Sequence, residues 1–76
     1  MPRYFFHVIH ERHEVDREGE ELPDRYAAWR EATETAGQML QGLDGKLTPD
    51  RDWRMEVADE FRNTLYVLHI SAEKRG

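Results

Sequence analysis

The sequence predicts an α+β domain of β-β-α-β-β order: a four-stranded, mostly antiparallel sheet with one helix packed on one face. Three observations carry this. The segments Arg3–Ile9 and Thr64–Ile70 are rich in aromatic and β-branched residues. Trp53, Met55 and Val57 alternate with Arg54, Glu56 and Ala58, the period of a half-buried strand. Between these blocks, Ala28, Ala32 and Ala36 recur every four residues, the period of a helix face.

The first strand, Arg3–Ile9, places Tyr4, Phe6 and Val8 on one side and Phe5, His7 and Ile9 on the other. A connection at Glu11–Arg12 then leads to a short strand near His13–Asp16. It contains no Gly or Asn, so a tight primed turn is strained there and a longer, irregular loop competes with it. Arg17-Glu18-Gly19-Glu20-Glu21 reads as a turn in which Gly19 supplies a positive φ. Leu22, preceding Pro23, is held extended.

Asp24 is suited to cap a helix, its carboxylate accepting from the unpaired N–H groups of the first turn. The helix runs from Arg25 to about Leu43. Ala28, Trp29, Ala32, Ala36, Met39, Leu40 and Leu43 share one stripe, and Arg30, Glu31, Glu34, Gln38 and Gln41 face away. Three methyl-sized side chains along the stripe let the helix axis lie close to the sheet. Gly42 and Gly45 mark its end. Leu47–Asp52 is a connection, Trp53–Ala58 a strand, Glu60–Asn63 a turn and Thr64–Ile70 the last strand. Residues 71–76 form a polar, fraying tail to a single domain spanning 1–76.

With 76 residues the core is thin; domains of this size draw roughly 3–5 kcal/mol from it. The chain has no cysteine, so neither a disulfide nor a thiolate zinc site reinforces the fold. Association is the remaining stabiliser. Absence of cysteine fits a reducing compartment. The apolar N-terminal run is too short for a signal peptide, and no window reaches the roughly 18 apolar residues of a membrane span. The expected location is the cytoplasm.

The formal charge of −5 disfavours nucleic acid and anionic membranes as partners, because affinity for phosphates rests on Lys and Arg. Between Glu11 and Asp24 seven carboxylates face two arginines, the composition of a solvated loop.

Candidate chemistry is sparse. Of the four histidines, His7 and His10 alternate to opposite faces and cannot share an ion from a regular strand. His7 and His69 share a site only if the first and last strands are neighbours. Protonating all four moves the formal charge from −5 to −1, so association near pH 5–6 is a point to test. Counted from Asp16, a calcium loop fails: Gly19 falls fourth where the sixth is required, and the twelfth residue is Ala27. The only serine, Ser71, lies in the tail, and no threonine has an evident base. The aromatics lack the basic neighbours of a base-stacking platform. No catalytic residue, cofactor or metal site is expected, and the protein is read as not an enzyme.

The opening Pro2–Val8 (PRYFFHV), the segment Asp16-x-Glu18-Gly19-x-Glu21-Leu22-Pro23-Asp24, the Ala27-Ala28 helix and Trp53–Glu60 together resemble an uncharacterised family of small bacterial proteins carrying a domain of unknown function. The resemblance spans most of the chain and implies no activity or cofactor. The chain departs from that pattern at His10–His13, where the family has a Gly-Asp type turn, and at Arg25, where it has an apolar residue. In architecture alone, the chain is also similar to HicB-type antitoxins, without the DNA-binding segment many of them append.

The functional expectation is a small interaction or regulatory module, acting as a homodimer or with another protein; the alternative is an antitoxin-like or other nucleic-acid-associated regulator. The helix can cover one sheet face, and nothing else in the sequence offers a cover for the other. The expected interaction face is Phe5, His7, Ile9, Leu65, Val67 and His69.

Overall fold

A computed structural model describes residues 1–10, 12–43, 49 and 52–76. The elements are β1 (Arg3–His10), β2 (Arg12–Glu14), β3 (Glu20–Glu21), α1 (Arg25–Leu43), β4 (Trp53–Asp59) and β5 (Thr64–Ile70). The sheet order is β2-β1-β4-β5, and β3 pairs with β1. Every pairing is antiparallel.

The α+β architecture with one helix is as the sequence predicts, with one more strand. Glu20 and Glu21 lie in the stretch read as a turn, yet they pair with Tyr4 and Arg3. An ion pair from Arg3 to Glu21 at 3.2 Å and a bond from the Arg3 guanidinium to the Glu18 carbonyl at 2.7 Å hold them there. The Leu22 N–H continues the ladder to the Pro2 carbonyl at 3.1 Å. The apolar strands β1 and β5 are not neighbours. β4 lies between them, so β1 is an inner strand and β5 an edge.

The helix begins where its cap dictates. The Ala27 N–H donates to the Asp24 carboxylate at 2.8 Å, and the Ala28 N–H to the Asp24 carbonyl at 3.2 Å. Ala28, Ala32 and Ala36 are fully or almost fully buried, facing Trp53, Met55 and Val57, the largest fully buried side chains. Methyl groups on the helix and large side chains on β4 fill the layer between them in alternation, as close packing requires. Tyr4 and Val8 complete the core from β1.

One detail of the stripe differs. Met39 is 40% exposed instead of buried. It borders an open cleft of about 540 Å³ with Val8, His10, Leu43 and Trp53, so the last helical turns have less sheet beneath them. The helix ends at Leu43, just past Gly42, as the sequence predicts. The second stop signal, Gly45, and most of the Leu47–Asp52 connection lie outside the described residues.

Between β4 and β5 the register shifts. Val57 pairs with Tyr66 and Ala58 with Thr64, which leaves Leu65 as the extra residue of a bulge. Residues 71–76 follow β5 without regular structure and are exposed throughout.

Candidate interaction surface

Paired residues share a sheet face, so the register gives the surface opposite the helix directly. One row joins Phe5 and Ala58; the next joins His7, Glu56 and Val67; the third joins His13, Ile9, Arg54 and His69. Five of the six residues expected on an interaction face therefore stand together: Phe5, His7, Ile9, Val67 and His69. Leu65 does not join them. The bulge turns it to the other side, where it packs against the buried core.

The surface is mixed in character. Phe5 and Ile9 are half-buried and Val67 is 49% exposed. Arg54 and Glu56 form an ion pair at 3.7 Å between them. The Phe5 and His7 rings lie parallel with centroids 6.4 Å apart, and His13 meets His7 edge-on at 6.3 Å. At the far end, Nε2 of His69 is 3.0 Å from the Asp52 carboxylate, tying the end of β5 to the start of β4.

Part of this face has a cover within the chain, contrary to the expectation that none exists. After Glu14 the chain leaves the ladder and crosses beside Phe5 and His7 before β3 resumes the pairing. Asp16 holds that crossing. Its carboxylate accepts from the N–H groups of Phe6 at 3.1 Å, Glu18 at 3.2 Å and Gly19 at 3.1 Å. Its own N–H donates to Nδ1 of His7 at 3.0 Å.

Burial pushes the Asp16 carboxyl upward, but the N–H groups of Gly19, Phe6 and Glu18, with the charge of His7, outweigh it and hold it below the ordinary carboxylate value. Gly19 adopts φ +70°, and a Cβ placed there would stand 2.8 Å from both the Phe5 ring and the Tyr4 carbonyl. Ala58, although on this face, is only 7% exposed. Phe5, His7 and Ala58 floor an open groove of about 570 Å³ between Val15–Arg17 and the Asp59–Arg62 turn.

Sequence reasoning counted Asp16 among the carboxylates of a solvated loop and so missed its role. The available signal was Asp followed three residues later by Gly, the composition of an Asx-type turn.

The turn from β4 to β5 is built the same way. The Asp59 carboxylate accepts from the N–H groups of Asn63 at 2.8 Å and Phe61 at 2.9 Å and from the Asn63 side-chain amide at 3.0 Å. The Asn63 N–H foremost holds this carboxyl below its ordinary value.

His7 and His69 share a face, but β4 separates them, and Nδ1 of His7 is engaged by the Asp16 N–H. Among the described residues no three His, Asp or Glu side chains gather at metal-binding distance. Among the same residues no helix is long and apolar enough to cross a membrane.

The chain matches, over residues 3–71, the family model described as Domain of unknown function (DUF6894). It belongs to that family, and the resemblance seen in the PRYFFHV opening and the DxEGxELPD segment has this basis. No curated protein and no solved structure matches the chain.

Proposed function

We propose that this domain is a non-enzymatic protein-interaction module of the cytoplasm, acting as a homodimer or with another protein through the sheet face opposite the helix. The observation that supports this is the set of apolar side chains left there. Phe5 and Ile9 stay half-buried and Val67 half-exposed on a face that α1 does not reach. In a domain with so thin a core, apolar area left on an ordered sheet is an asset only when something covers it. The reading as a nucleic-acid regulator has weaker support. On that face Arg54 is paired with Glu56 and Arg3 with Glu21, and Arg17 and Arg62 border the groove of a chain whose formal charge is −5. A cytoplasmic setting rests on the absence of cysteine.

The test compares the wild-type protein with Ile9→Lys as baits in extract of the source cell, after circular dichroism shows that both fold. A protein retained by the wild type and lost by Ile9→Lys supports the reading. The same set captured by both proteins overturns it.

A further inference from the structure

We propose that His7 is a pH-sensitive latch for the segment that crosses the sheet face: protonation of its ring expels the Asp16 N–H from Nδ1 and re-seats Val15–Gly19. The device concerns the position of this segment within one chain, so it stands or falls apart from the partner reading above.

The latch follows from the donor and acceptor roles at one contact. The Asp16 N–H donates to Nδ1 of His7 at 3.0 Å, which requires a lone pair on that nitrogen. An imidazolium carries a proton on both nitrogens and accepts from nothing. Two N–H groups would then point at one another across the contact. Histidine is the side chain whose charge changes between pH 5 and 8, so a contact that demands the neutral ring is open to acid in that range.

The acceptor at hand for the new proton is the carboxylate of the same residue. Asp16 already stands at β1, accepting from the N–H of Phe6, the neighbour of His7, at 3.1 Å. Its carboxyl is held below the ordinary carboxylate value of 3.8 and stays ionised throughout this range. Asp16 therefore meets the ring in two ways: its N–H donates to the neutral form, and its carboxylate accepts from the charged one. Backbone and side chain cannot occupy the same place beside Nδ1, so the exchange turns the chain at Asp16.

The segment is free to respond. Between β2 and β3 it forms no strand pairing, and Arg3 and Asp16 hold it to β1. Val15 and Arg17 form one wall of the groove floored by Phe5, His7 and Ala58, and this wall moves with Asp16. Release of an ordered segment by a change of charge at one contact is a common form of switch.

The other groups around the ring set where the transition falls, not its geometry. Phe5 stacks on the ring from β1, and His13 meets it edge-on from β2. Glu56, paired with Arg54, shares its row from β4. Arg17 stands beside Asp16, and Asp59, Glu60 and Arg62 line the far side of the groove. Among the described residues, only Asp16 hydrogen-bonds to the His7 ring.

Two-dimensional ¹⁵N–¹H spectra of the protein from pH 8 to pH 5 read the latch. As the His7 ring titrates, the Asp16 amide proton is expected to move upfield with the same midpoint. Its protection from hydrogen exchange falls about fivefold to tenfold, the worth of one hydrogen bond. His7→Asn keeps an acceptor beside the Asp16 N–H but has no proton to gain, so its Asp16 amide stays still over the same range. His13→Asn retains the transition. An Asp16 amide that does not move while the His7 ring titrates overturns the proposal. So does a His7 ring that does not titrate between pH 8 and pH 5, or a transition that persists in His7→Asn. Should His7→Asn fail to fold, the wild-type titration decides alone.

Discussion

Asp16 and His7 are bound to one another through the backbone: the Asp16 N–H donates to Nδ1 of His7 at 3.0 Å. The Asp16 carboxylate meanwhile accepts from the N–H of Phe6, the residue just before His7, at 3.1 Å. One residue therefore serves β1 twice across the gap between β2 and β3, where no strand supplies a partner. A part-buried backbone N–H without an acceptor is costly, so the side chain stands in for the missing ladder. The chain can leave the sheet after Glu14 and return at Glu20 without stranding β1.

Removing that carboxylate exposes its value. Asp16→Ala leaves the N–H groups of Phe6, Glu18 and Gly19 without their acceptor and is expected to cost about 1–3 kcal/mol in urea denaturation. The pH dependence has a definite sign. The folded carboxyl lies below its ordinary value of 3.8, so the unfolded chain takes up the proton first as pH falls. The stabilisation is complete well above pH 3.8 and is lost as pH drops through the lower, folded value. Midpoints of urea denaturation between pH 3 and pH 7 should fall more steeply on the acid side for the wild type than for Asp16→Asn. Parallel profiles would remove Asp16 from the account.

The same contact fixes a tautomer. To accept from the Asp16 N–H, Nδ1 of His7 must carry a lone pair, which places the ring proton of the neutral form on Nε2. Two-bond ¹⁵N–¹H correlation spectra at neutral pH should show His7 as the Nε2–H form. In Asp16→Pro, which deletes the donor, that preference should relax. An Nδ1–H signal for His7 in the wild type contradicts the contact.

Gly19 is where the crossing segment meets β1. Its φ of +70° disfavours any L side chain by about 1–2 kcal/mol. A Cβ would in addition press on the Tyr4 carbonyl, which is backbone and cannot swing away, at 2.8 Å. Gly19→Ala is therefore expected to destabilise by about 2–4 kcal/mol, strain and overpacking together. Thermal melts of Gly19→Ala beside Gly37→Ala, where nothing lies within 4 Å, give the comparison; equal midpoints would refute the close approach.

What the sequence made legible was local. Asp24 as a cap and alanine every fourth residue both act within a turn or two, and they placed α1 at Arg25–Leu43. The alternation from Trp53 to Val57 likewise named the buried face of β4. Strand order was not legible, because alternation reports which faces are covered and not which strand lies alongside. Two-sided apolarity in β1 reflects an inner strand with a segment crossing over it, whereas in β5 it belongs to an edge; the patterns look alike. Leu65 was assigned to the wrong face for a related reason. One extra residue in a strand reverses the side of its neighbours, and the bulge arises from how β5 pairs with β4, which alternation along β5 alone does not report. β3 was missed because two glutamates have no strand tendency of their own and are held by Arg3.

The β4–β5 turn offers a gain in stability. Arg62 is the one non-glycine residue with positive φ among those described, at 68°. It occupies the last position of the turn Glu60–Arg62, closed by the Asp59 N–H to the Asn63 carbonyl at 2.9 Å and the Arg62 N–H to the Asp59 carbonyl at 3.2 Å. Three-residue hairpin loops of this kind favour glycine there. Placing an L residue in that conformation costs about 1–2 kcal/mol, while glycine adds roughly 0.5–1 kcal/mol of chain entropy to be lost on folding. The first effect is larger, so Arg62→Gly should stabilise by about 0.5–1 kcal/mol, with Arg62→Asn intermediate. Arg62→Ala keeps the strain while deleting the guanidinium and should give no gain. Urea denaturation of the three variants separates conformation from charge: if Arg62→Ala gains as much as Arg62→Gly, loss of the charge and not relief of the backbone is the cause.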